Sequence, residues 1–130
     1  MGQPAAKQGD RIVAIDMHMI QPPGPVSPLP VPHPFNGIIN GALSSNVFIE
    51  GRPAATLNST GTNLPPHIPQ GGSFVTPPTN KGTIVTGSAT VRINSKAAAR
   101  AGDHATTCDD IMPTVAKATV IAQSKVLIGG

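Results

Sequence analysis

The chain has 130 residues, enough for one domain (1–130) with a thin core, and only 2 % of them are aromatic, with neither Trp nor Tyr, so no aromatic cluster anchors the packing. Its net charge of +3 comes from nine Lys and Arg residues scattered from Lys7 to Lys125, without the basic run that nucleic-acid binding requires. A lone cysteine, Cys108, excludes an internal disulfide, and no stretch approaches the roughly 18 apolar residues of a membrane span. The 12 % of charged residues is about half the usual share and fits either a surface covered by a partner or a plain neutral one. The N-terminus lacks a secretory pattern, which predicts a soluble, cytoplasmic product. Ala6 stands where acylation after Met1-Gly2 would need Ser or Thr.

In chain order, Gly2-Gln3-Pro4-Ala5-Ala6 leads to a turn signal at Gly9-Asp10, and a connection carrying His18 and His33 follows, with seven prolines between Gln21 and Pro34. The short apolar run 37–41 then precedes the segment Asn46–Ala55 and a second turn signal at Asn58-Ser59. A second connection bears His67 and five prolines. The run 82–87 precedes the segment Thr90–Ala99, which repeats Asn46–Ala55, and Gly102-Asp103 supplies the third turn signal. The third connection holds His104 and Cys108 and ends in the run 118–122. The closing Lys125–Gly130 joins Gly2–Ala6 to complete a third copy.

The β-branched content of these runs predicts that each pairs with the segment after it as a hairpin, with alternation such as Val91 and Ile93 against Arg92. Ala97-Ala98-Ala99 is expected to be extended, because prolines stand beside the equivalent alanines at Pro4 and Pro53. The fold class is therefore all-β: a small cone or prism of three pseudo-symmetric hairpin units, termini together, suited to mate with a trimer. A plain sandwich with coincidental similarity is the alternative. Regular β segments argue against the disorder that 14 glycines and 15 prolines would otherwise suggest.

Every histidine and the only cysteine lie in the connections, and a three-fold arrangement brings those connections to one end. Imidazole nitrogen and thiolate sulfur are the donors that suit tetrahedral zinc, with iron a weaker fit. The preferred set is His18, His33, His67 and Cys108, a closed structural site with no position for substrate. His104 competes for one place but is expected to face solvent. A small core needs such a staple, and proline-rich arms deliver the ligands stiffly without hydrogen-bonded ladders. A Cys108–His104 nucleophile–base pair is the enzyme alternative, but no oxyanion hole, cofactor loop or carboxylate pair accompanies it. Asp109 and Asp110 read as turn residues.

Gln3-Pro4-Ala5-Ala6-Lys7, Arg52-Pro53-Ala54-Ala55 and Lys96-Ala97-Ala98-Ala99-Arg100 resemble the Pro-Ala-Ala-Arg signature of PAAR-repeat proteins. The likeness spans essentially the whole chain, with two of the three signatures followed by Gly-Asp. It implies a cone whose narrow end binds zinc through three histidines and one cysteine, here His18, His33, His67 and Cys108. The hairpins around Val47, Val91 and Val126 would form a base on the trimeric spike of a VgrG-like protein. Such caps sharpen type VI secretion systems and related contractile injection systems, aiding membrane puncture and effector delivery. No enzymatic activity is implied, and the target membrane is met only transiently, on firing out of the cell. With the chain stopping at the closing strand, any effector is expected to bind non-covalently. A free-standing zinc-binding carrier is the alternative. The missing Gly-Asp of the second unit and the proline insert before His33 are departures from the family pattern.

Overall fold

In a computed structural model, residues 2–130 are described and contain no helix. The strands in chain order are β1 (Gln3–Pro4), β2 (Arg11–Gln21), β3 (Leu29–Gly41), β4 (Phe48–Ile49), β5 (Arg52–Pro53), β6 (Thr60–Asn63) and β7 (Ser73–Phe74). They continue with β8 (Lys81–Ile84), β9 (Arg92–Ile93), β10 (Lys96–Ala97), β11 (His104–Thr106), β12 (Ala118–Ile121) and β13 (Leu127–Ile128). Six of them close a ring in the order β2-β3-β6-β8-β11-β12, all antiparallel, with β12 returning to β2 and β7 added on the free edge of β2. Antiparallel closure leaves the connections β2–β3, β6–β8 and β11–β12 at one end, the apex, and the repeat segments at the other, the base.

The strand pairing differs from the sequence expectation. The runs 37–41, 82–87 and 118–122 do not fold back on the repeat segments after them. They pair instead with the strands that follow the preceding Ala-Ala: β3 with β2, β8 with β6, β12 with β11. Each repeat segment forms its own small hairpin, β4 on β5 and β9 on β10. Local turn chemistry is the cause. Glu50 and Gly51 have φ of 50° and 82°, and Asn94 and Ser95 have 53° and 67°; a two-residue turn with both φ positive matches strand twist and closes a hairpin at once. The third hairpin is split as anticipated, with Gln3 opposite Ile128 and Pro4 opposite Leu127.

On the axis of the base, the three Ala-Ala pairs form a closed triangle. Ala6 N–H donates to Ala99 O (3.0 Å), Ala99 N–H to Ala55 O (3.1 Å), and Ala55 N–H to Ala6 O (3.0 Å). Only a methyl-sized side chain fits where three backbones meet, and Ala5, Ala54, Ala55, Ala98 and Ala99 have no exposed surface. Ile49, Ile93 and Ile128, one from each hairpin, pack below with Val47 and Val91. Above, Ile12, Ile39, Ile84 and Val120 fill the ring with Phe35. Glycines make room for that one ring: a Cβ on Gly37 would stand 2.7 Å from Phe35 Cε1. After each Ala-Ala the chain turns in the same way. Arg100 N–H donates to Asp103 Oδ2 (2.7 Å), Lys7 N–H to Asp10 Oδ2 (3.0 Å), and in the unit without Gly-Asp, Thr56 N–H to Ser59 Oγ (2.9 Å).

Candidate metal centre

His18 and His33 stand on strands, not on an irregular connection as the proline content suggested. β2 alternates, with Ile12, Asp16, His18 and Ile20 buried, and β3 buries His33, Phe35 and Ile39. Pro30, Pro32 and Pro34 fall on the opposite parity of β3, whose second edge has no partner strand until Gly37 meets Asn63. Their missing N–H groups thus lie where no ladder bond is needed, so the proline-rich arm is a strand. Asp16 and His33 face each other in the β2–β3 register. His67 enters from the β6–β8 connection and Cys108 from the residues after β11, so all three hairpins contribute.

The buried side chains form a tight group. His18 Nε2 lies 3.7 Å from Cys108 Sγ, and the ring centroids of His18 are 4.8 Å from His67 and 5.4 Å from His33. His33 Nδ1, 2.8 Å from Val31 O, must donate to that carbonyl, which leaves Nε2 as a bare lone pair. That atom is buried without a hydrogen-bond partner, the state expected of a donor reserved for a cation. Asp110 Oδ2 is 3.3 Å from His18 Nδ1, close but without hydrogen-bond alignment. His104 is exposed on β11, opposite Thr119, in line with the expectation that it faces solvent.

Asp16, which sequence reasoning passed over, is at the centre. It is fully buried. Its Oδ2 accepts from His67 Nε2 (3.0 Å) and from the Cys108 thiol (3.3 Å), and its Oδ1 accepts from Thr107 Oγ1. Asp16, His18, His67 and Cys108 offer ligand atoms all within 4.8 Å of one another; His33, a member of the set expected from the sequence, is not in that group, and Asp16 stands in it instead. Burial pushes the Cys108 thiol up to about 12, and the charge of Asp16 adds to the effect. Burial also lowers His67, against its hydrogen bond to Asp16, which raises it. A thiol held protonated is a poor nucleophile. The ion-pair contacts of Asp16 are to histidines alone among the described residues. A buried carboxylate, a thiol and imidazole lone pairs without a Lys or Arg form a site that a divalent cation complements.

The surroundings close the site. β7 pairs with the outer end of β2, Phe74 opposite Ile20, and lays the Phe74 ring 5.5 Å from both His18 and His33. Gly72 permits that approach, since a Cβ there would come within 2.1 Å of Gln21 O. The third connection secures the same strand. Met17 N–H donates to Asp109 Oδ2 (2.7 Å), Met19 N–H to Asp110 Oδ2 (2.9 Å), and Asp110 N–H to Met17 O (2.9 Å). Asp109 also turns its own loop, accepting from the N–H groups of Ile111 and Met112. Burial alone would raise its carboxyl, but Lys117 and the three backbone donors hold it down at about 2.

Residues 76–130 match the family model described as the PAAR motif. The matched stretch covers Cys108, the split C-terminal repeat and the copy at Thr90–Ala99; His18, His33 and His67 lie before it. No curated protein matches the chain.

Proposed function

We propose, from the match of residues 76–130 to the PAAR motif, that residues 1–130 act as one metal-stabilised tip domain, capping the trimeric spike of a VgrG-like protein in a type VI secretion system or related contractile injection system. The observation that supports this most is the base. Three equivalent hairpins surround a three-fold alanine triangle, and a cap with that repeat meets three identical spike chains in three equivalent ways. Phe48 and Leu127 project from two of the hairpins, 56 % and 62 % exposed, and the short ribbons leave unpaired strand edges. Apolar contact and edge pairing are what a spike end would satisfy.

At the apex, His18, His33, His67 and Cys108 would hold the ion, and the nitrogen–sulfur set favours zinc. Bound there, zinc supplies a cross-link among the three hairpins. His33 is preset by Val31 O, and Phe74 with Ile20 keeps water off the rings. The apex surface suits contact with a membrane: the connections 22–28 and 64–80 contain no Asp, Glu, Lys or Arg, and in the third connection Lys117 is paired with Asp109, so little charge has to be dehydrated there. In this reading the chain is made in the cytoplasm and leaves it on firing. Co-expression with a trimeric VgrG-like spike is expected to give a complex of one chain per trimer, lost on Phe48→Asp with Leu127→Asp. A metal-loaded chain that stays free of the spike would instead identify a zinc-binding carrier.

A further inference from the structure

We propose that Asp16 is a positioning residue of the metal centre, holding His67 while standing outside the ligand set. The proposal rests on the metal reading above and is independent of the spike. Two kinds of buried donor meet in the ring. His33 Nε2 is buried with no hydrogen-bond partner, so its lone pair is available to a cation. Both oxygens of Asp16 are already engaged by groups that keep their protons when a metal binds, Oδ1 by Thr107 and Oδ2 by His67, while the Cys108 thiol donates to Oδ2 only until it ionises as a ligand. A carboxylate so engaged orients its neighbours, as an aspartate behind a metal-bound histidine does. The chain Thr107–Asp16–His67 joins the third hairpin to the connection of the second, across β2 of the first. It reaches His67, whose backbone N–H donates to Asn80 Oδ1 (2.9 Å) within the β6–β8 connection, and it fixes that ring without using any strand ladder.

The test measures zinc affinity by competition with a chromophoric chelator, and the cobalt spectrum of the same proteins. Asp16→Asn is expected to weaken zinc 10- to 100-fold, while cobalt-loaded protein keeps the wild-type band positions because the ligands are unchanged. Thr107→Val, a milder change that removes only the donor to Oδ1, is expected to weaken zinc severalfold and to add nothing in the Asp16→Asn background; Thr107→Ser is expected to restore wild-type affinity. Wild-type affinity or tighter binding in Asp16→Asn would overturn the proposal. So would a changed cobalt spectrum, which would make Asp16 a ligand. If the wild-type chain takes up neither zinc nor cobalt, the metal reading itself falls, a failure visible before any variant is made.

Discussion

The base and the apex solve the same problem, closing a small ring of strands, by opposite means. At the base the three units are nearly interchangeable: each contributes one alanine to the triangle, one isoleucine to the lower cluster and one two-stranded hairpin. At the apex they are unequal. The first unit extends as an 11-residue and a 13-residue strand, the second sends a long connection that lays Phe74 over the histidines, and the third gives Cys108 and the paired carboxylates of Asp109 and Asp110. Backbone hydrogen bonds repeat easily under symmetry, because every residue carries the same donor and acceptor. A buried polar group needs one particular partner, so the units diverge where the side chains must converge.

The largest effect expected is at the apex. Removing the metal with a chelator, or replacing His18 with Ala, is predicted to cost on the order of 4 kcal/mol or more, read as a loss of thermal stability and of metal by elemental analysis. Hydrogen exchange should then quicken in 17–21 and 29–35 while the amides of Ala6, Ala55 and Ala99 stay protected. Equal quickening at both ends would show that the two regions are one cooperative unit. The next effect belongs to the base: Ala55→Leu is predicted to cost about 1–3 kcal/mol by overpacking, and the same change at Ala6 or Ala99 should match it within about 0.5 kcal/mol. A clear inequality among the three, measured by chemical denaturation, would break the three-fold description.

That symmetry was legible in the sequence because it is written in repeated letters: Ala-Ala three times, and a copy divided between the termini that the β1–β13 pairing completes. The pairing was not. Strands β6 and β11, at four and three residues and rich in Thr, Gly and Ala, are too short to show a period, whereas the turns Glu50-Gly51 and Asn94-Ser95 depend on positive φ at two pairs of residues of which only Gly51 and Asn94 carry a marker for it. In the first connection the clue was present but looked like its opposite. Prolines at every second position, Pro30, Pro32 and Pro34, alternate with Val31, His33 and Phe35, which is the period of a strand with one open edge. Asp16 had the same kind of signal, an acid on the parity of Ile12, His18 and Ile20, but its partners come from residues 67, 107 and 108, and no local pattern joins those to it.

The smallest effect tests how far equivalence between units extends into the turns. Gly9, Asn58 and Gly102 occupy one position in the three copies, with φ of 93°, 75° and 89°, so the second unit does without glycine by using the residue that best tolerates the left-handed region. Gly102→Ala is predicted to cost about 1–2 kcal/mol, although a Cβ there meets nothing within 4 Å; the penalty is purely conformational. Gly102→Asn should recover most of it, because Asn58 already serves there. Asn58→Gly should shift stability by only a few tenths of a kcal/mol, since relief of the left-handed strain is offset by the larger entropy of an unfolded glycine. The set is read by denaturation midpoints. If Asn at position 102 proved as costly as Ala, the φ values would not be what equates these turns, and the second unit would owe its shape to Ser59, whose hydroxyl takes the N–H of Thr56 and donates to Ala42 O.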